Sequence, residues 1–342
     1  MRGHTLQKEV RAGEAEEAVR FYIRNQDASR HRHKAFTEKD VSLLLLHGVL
    51  GLGAMVSSPE RWPALCQFTS APRAMKYRRR DFAGFADRVA DVLGETDPAR
   101  ATTLFRAVHR RLHERHMTYV RERHSPKTMT TEVVGLRHLQ KSLEKGKGAI
   151  LWGTPSLSDA IVAKRSLFEA GVPAYQLSVN SHGFSETRFA ERFLNPRQIA
   201  VENQYLGGRI RFEGEDVVRV TREIMRKLKQ NHPIIFANTL HSGRAFTKVP
   251  ASSRYSLLFP TTPLSIAVKS GVPLHIMTTV ETVPFRHYVT GISEPLTADA
   301  VAGEGDDARI ASMALRARDI IVRDLRNHPD QFRLWDRLVE RN

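Results

Sequence analysis

Residues 153–159, Gly-Thr-Pro-Ser-Leu-Ser-Asp, end a short apolar run and precede a stretch that closes on Gly171-Val172-Pro173. The pattern predicts a buried strand, a tight polar loop and a helix with the Asp159 carboxylate in its first turn. Acid/base chemistry suits such a junction, because a carboxylate can orient a base there. Free amides at the helix start can hold an oxyanion or a phosphate. Two further loops of small polar residues leave predicted strand ends, 180–185 with His182 and 238–244 with Asn238, His241 and Arg244. In open α/β sheets, ligands bind beyond strand carboxyl ends. Gly153, Thr154, Ser156, Ser158 and Asp159 are therefore grouped with His182 and His241 as candidates.

Each candidate has a plainer reading. Asp159 can simply favour the helix dipole, with Ser158 as the cap. His182 precedes Gly183 and His241 precedes Ser242-Gly243, so both fit turns. Thr154 and Ser156 read as hydrogen-bonding loop residues, since no histidine follows at a spacing that would activate them. Arg209 and Arg211 suit a phosphate or carboxylate equally with a solvated charge run.

The elements that must position these residues change character near Lys127. Beyond it, predicted strands at 149–152, 174–179, 234–237 and 274–280 alternate with predicted helices at 136–144, 159–170, 215–229, 264–270 and 308–326. That alternation predicts an α/β fold with a mostly parallel central sheet flanked by helices. The preceding residues read as an N-terminal helical region, which gives domains 1–127 and 128–342. A helix is expected around 14–25, and 41–124 is helical in pattern. Leu104, Val108 and Leu112 form one apolar stripe, while Arg106, Arg110, Arg111, Arg115, His109, His113 and His116 are expected on a solvated or anion-facing surface. His109 and His113 have metal-ligand spacing, but no carboxylate completes a motif and the arginines repel a cation, so no metal site is expected.

The composition, 41% hydrophobic and 26% charged, fits a folded protein rather than a disordered one. A net charge of +16 favours polyanionic partners: nucleic acid, an anionic lipid surface or an acidic carrier protein. Nothing in the pattern indicates a specific DNA partner. The lone Cys66, in apolar company, reads as a buried inert thiol in a reducing, cytoplasmic setting. No secretory signal is expected. Residues 41–56 are apolar but fall short of the ~20 needed to span a bilayer, and they include His47; a core helix or a membrane-surface contact is expected. Gly207-Gly208 and Gly51-x-Gly53 lack a dinucleotide-binding context and no phosphate-binding loop is present, so no cofactor is expected.

Taken in order, several blocks resemble the lipid A biosynthesis (lauroyl/myristoyl) acyltransferase branch of the lysophospholipid acyltransferase superfamily. They are Val134-Gly135-Leu136-Arg137-His138-Leu139, Lys145-Gly146-Lys147-Gly148-Ala149-Ile150-Leu151, the 153–159 loop, Ala170-Gly171-Val172-Pro173, and residues 228–244. Val249-Pro250, residues 261–273 and the closing His328 to Arg337 segment continue the match, which covers roughly 40–340. The resemblance implies a glycerolphosphate acyltransferase-like fold and transfer from an acyl thioester, on acyl carrier protein or coenzyme A, at or near the inner membrane face. It also implies a His-x-x-x-x-Asp motif whose histidine removes the acceptor's proton. Here Asp159 is kept, but Thr154 stands at the histidine position and Asn238 stands where the family often carries Asp.

The base then comes from elsewhere, with His182 and His241 as candidates, or the acceptor is a nucleophile needing little deprotonation. Gly153, Ser156, Ser158, Arg209, Arg211, Asn238 and Arg244 would contact substrate. Two alternatives keep the fold: aminoacyl transfer from tRNA to a small nucleophile, and a non-catalytic homologue binding lipid or a partner.

Overall fold

The computed structural model describes residues 4–13, 17–24, 34–124, 129–158, 161–179, 182–212, 217–237, 245–296, 305–333 and 335–341. The expected α/β architecture is present. Strands β10 (Leu274–Val283), β4 (Ala149–Gly153), β7 (Pro233–Ala237), β5 (Tyr175–Val179) and β6 (Gly208–Phe212) lie side by side and parallel in that order. Beyond β10, β11 (His287–Ile292) returns antiparallel, and β3 (Thr130–Val134) pairs parallel with β11.

Every residue of β4 is buried because both faces of the sheet are covered. Ile150 and Trp152 point into the larger core with α7 (Val217–Lys229), α8 (Thr261–Ser270) and α9 (Asp306–Asn327). Ala149 and Leu151 point the other way, against α4 (Leu136–Leu143) and α5 (Val162–Glu169). The four strands expected from apolar runs all form; three are extended by one to three residues and the one expected at 174–179 starts a residue later.

The expected helix at 14–25 does not form. β1 (His4–Ala12) and β2 (Glu17–Arg24) make a hairpin instead, and β2 adds to β8 (Ala245–Pro250). The sheet continues through β9 (Tyr255–Pro260) to β12 (Val339–Glu340), antiparallel throughout. Alternation decides it: Val19 and Phe21 are buried while Arg20 and Tyr22 are not. The strand exists because β8 offers a pairing edge far away in sequence. Helix α5 also starts at Val162 rather than 159, with Ile161 rather than Ser158 at its cap.

Between hairpin and sheet run α1 (Glu38–Val56), α2 (Trp62–Leu93) and α3 (Pro98–His124), as the helical pattern predicts. α1 is three residues longer at its start than its apolar run, and by length and composition it is apolar enough to cross a membrane. Cys66 is fully buried, and burial raises its thiol pKa.

Candidate active site at the carboxyl edge of the parallel sheet

The polar stripe of α3 is solvated only in part: Arg106 is exposed, while Arg110, Arg111, Arg115 and His116 are half-buried. His109 and His113 are buried, and so are Glu114, Tyr119 and Glu122. Its polar face meets the end of β10 together with α5 and α6. Arg111 binds Glu281 at the end of β10, Glu114 at 2.9 Å and Asp330 at 2.9 Å. Two turns on, the Tyr119 hydroxyl donates to Glu202 Oε1 at 2.8 Å. Glu122 accepts from Arg165 at 3.0 Å and from the Tyr205 hydroxyl at 2.6 Å.

Glu202, on α6 (Asn195–Asn203), has no exposed surface. Besides Tyr119 it accepts from Lys164 Nζ at 2.6 Å, Gln198 Nε2 at 2.9 Å, Arg209 at 3.0 Å and His182 Nε2 at 2.9 Å. These residues come from α3, α5, α6, β6 and the loop after β5, so the carboxylate ties together five segments. Burial alone would raise the Glu202 carboxyl pKa. The Lys164 ammonium, then His182 and Arg209, outweigh that and hold it well below the usual carboxylate range. Burial pushes Lys164 down to about 8 against the pull of Glu202.

An ionised carboxylate only accepts, so His182 Nε2 must donate to it. In the neutral ring Nδ1 then carries the lone pair. The side chain is 23% exposed, and no described residue hydrogen-bonds Nδ1. His182 therefore has the geometry of an oriented base with an open acceptor nitrogen.

The loop after β4 is placed by backbone pairing. Gly153 is the last residue of β4, between Met277 and Ala237. Thr154 is buried and its amide donates to Met277 O at 2.8 Å. Ser156 Oγ donates to Thr279 O at 2.6 Å, and Ser158 O accepts the amide of Val162. Thr154 and Ser156 thus sit in the framework beside β10, as the plainer reading of these residues has it. The chain's closing segment locks the loop: Ser156 bridges Phe332, the Leu157 amide donates to Gln331 O at 2.8 Å, and the Arg333 amide donates to Pro155 O at 2.9 Å. Gln331 also bonds both backbone groups of Glu281.

Arg209 is brought into the site, 8% exposed, with NH1 buried and unpaired. Arg211, on the same strand face, is exposed. Asp159, Asn238, His241 and Arg244 lie outside the described residues. Glu202, Lys164, Tyr119 and Gln198 went unread in the sequence. The one signal was a charge inside apolar helical sequence, Val-Ala-Lys-Arg-Ser-Leu-Phe for Lys164 and Ile-Ala-Val-Glu-Asn for Glu202.

Helix α1 packs directly on the segment that follows His182. The Thr187 hydroxyl donates to the buried Asp40 at 3.0 Å, and the Arg188 and Phe189 amides donate to Lys34 O and Ala35 O. His47 Nε2 and His116 Nδ1 share a hydrogen bond of 2.9 Å, with Phe184 packed against both rings. Burial, followed by Arg197, pushes His47 down to about 4. The opposite side of α1 exposes Val41, Leu45, Val49, Leu52, Met55 and Val56, and Phe68 and Met75 of α2 are exposed as well. No family model and no curated protein matches the chain.

Proposed function

We propose that the protein transfers an acyl group from an acyl thioester to a lipid or small nucleophile, with His182 as general base in place of the histidine that position 154 lacks. The observation that carries this is the 2.9 Å contact between His182 Nε2 and buried Glu202 at the carboxyl edge of a parallel sheet. The acceptor's O–H or N–H attacks the thioester carbonyl as Nδ1 takes its proton. The C–S bond breaks, and the departing thiolate receives the proton from the imidazolium. Glu202 fixes the ring and stabilises its charged form, as orienting carboxylates do in other base pairs.

The ends of β4 and β5 are separated by β7, two strand spacings or about 10 Å. The base thus lies to one side of the 153–158 loop, and that loop supplies a rigid wall. The exposed apolar side of α1 suits contact with an anionic membrane at the cytoplasmic face, and it adjoins the segment that carries His182. A second reading, an aminoacyl-tRNA donor, is favoured by the exposed Lys76, Arg78, Arg79 and Arg80 of α2.

The test is mass spectrometry of products formed from acyl carrier protein, coenzyme A and aminoacyl-tRNA donors with hydroxyl and amine acceptors. Transfer by the wild-type protein from a thioester supports the leading reading. Transfer from tRNA alone selects the second reading, and transfer from no donor refutes both.

A further inference from the structure

The segment that carries His182 is anchored residue by residue. The His182 amide donates to Val179 O at 3.0 Å, and the Phe184 amide donates to Asn195 Oδ1 at 3.1 Å. Asn195 Nδ2 donates to Ser185 O at 2.7 Å. Gly183 lies against the same asparagine, where a Cβ would stand 2.1 Å from its Cγ, so only glycine fits. The Phe184 ring sits in a cage of three rings from two helices. His47 of α1 is 4.8 Å away between centroids, and His116 and Tyr119 of α3 are 4.6 and 5.1 Å away. His47 and Tyr119 meet it edge-on, a favoured aromatic geometry. Tyr119 closes the circuit, because its hydroxyl donates to the Glu202 carboxylate that binds His182. The cage is pinned by the 2.9 Å hydrogen bond between His47 Nε2 and His116 Nδ1. Burial holds both imidazoles neutral near neutral pH, so one ring donates and the other accepts.

We propose that His47 and Phe184 are positioning residues for His182, which makes α1 a working part of the site rather than an outer layer. A partly exposed imidazole readily changes rotamer. The bond to Glu202 opposes this only while the backbone that carries the ring stays in place. The cage supplies that restraint from α1 and α3, whereas Glu202 and Asn195 act from α6. The effect on rate rests on the general-base reading of His182. The hold on the His182 ring is read without turnover, so the two can fail separately.

The test is NMR at alkaline pH on the full chain with heavy nitrogen in its histidine rings, the His182 signals being assigned from His182→Gln. Wild-type His182 should show one neutral tautomer, protonated at Nε2, because Glu202 accepts there. His47→Leu deletes the bond to His116, and Phe184→Leu deletes the caged ring. Each should give a His182 signal averaged between tautomers. Single-turnover transfer should fall with it by up to ~10² with donor affinity kept, the cost of misplacing a catalytic group by about 1 Å. His47→Gln, whose amide can donate or accept, should restore both the tautomer and the rate. Leu52→Ala, on the exposed side of α1, should change neither. Should His47→Leu not fold, Phe184→Leu carries the test on the same readout. A single Nε2–H tautomer kept in the folded leucine variants overturns the proposal, whatever the rate. So does a His47→Gln signal averaged like that of His47→Leu. Loss of the tautomer in the leucine variants, in a protein that uses no donor, upholds the proposal and refutes the general-base reading alone.

Discussion

His182 Nε2 stands 2.9 Å from Glu202 Oε2, and the same oxygen accepts from Lys164 at 2.6 Å and Arg209 at 3.0 Å. One buried carboxylate therefore neutralises two fixed cations while orienting an imidazole. Helices α3, α5 and α6, strand β6 and the loop after β5 converge on it, and the site's rigidity depends on that convergence.

Replacing Glu202 by Gln leaves Lys164 and Arg209 buried without their counter-charge. Breaking a buried pair from one side costs about 3–5 kcal/mol. Urea unfolding of Glu202→Gln should show a loss of that order, with the midpoint shifted and the slope kept. A change within about 0.5 kcal/mol, the range of a surface substitution, would mean the carboxylate is not the hub described.

Acid should destabilise the fold through buried histidines as well as carboxylates. His47 and His113 are each held near pKa about 4 by burial, below the 6.5 of the unfolded side chain. The unfolded chain then binds more protons than the native one between these values. Stability is full above about pH 6.5 and falls as pH drops toward 4. Thermal melting across that window should show the decline, and His47→Gln should make it shallower. An unchanged slope in the variant would locate the pH dependence elsewhere.

The open side of α1 predicts membrane binding. Leu45 and Leu52 are 66% and 61% exposed, and burying such a side chain is worth about 1.5–3 kcal/mol. The double substitution Leu45→Asp, Leu52→Asp should abolish flotation with anionic liposomes while leaving the melting temperature near that of the wild type. Added salt should weaken the wild-type interaction. Flotation by the double variant equal to wild type would leave α1 without that role.

Much of the fold was legible because it is local. The apolar runs at 149–152, 174–179, 234–237 and 274–280 and the turns after them specify buried strands whatever surrounds them. Two elements were misread because their state is set at a distance. Residues 17–24 contain helix-forming Glu and Ala, yet pairing with β8 makes them a strand. The polar stripe of α3 reads as a solvated surface until α3 is seen lying on the sheet edge, where Arg111 meets Glu281 and Tyr119 meets Glu202.

The candidate site was legible in its loops and not in its partners. The sequence offers His182 as a base, but its carboxylate is Glu202, twenty residues on in α6 rather than five residues on in a motif. Lys164 and Tyr119 reach the same oxygens from 38 and 83 residues away, separations no local pattern encodes. Thr154 and Ser156 prove to be held by the backbone of β10, and the open acceptor nitrogen lies on His182.

The central claim is that His182 removes the acceptor's proton. Single-turnover transfer from the active thioester donor, followed across pH for wild type and His182→Gln, tests it most directly. Loss of a general base should slow the variant by ~10²–10⁴ with donor affinity retained. A variant that transfers at the wild-type rate with the same pH profile would contradict the account.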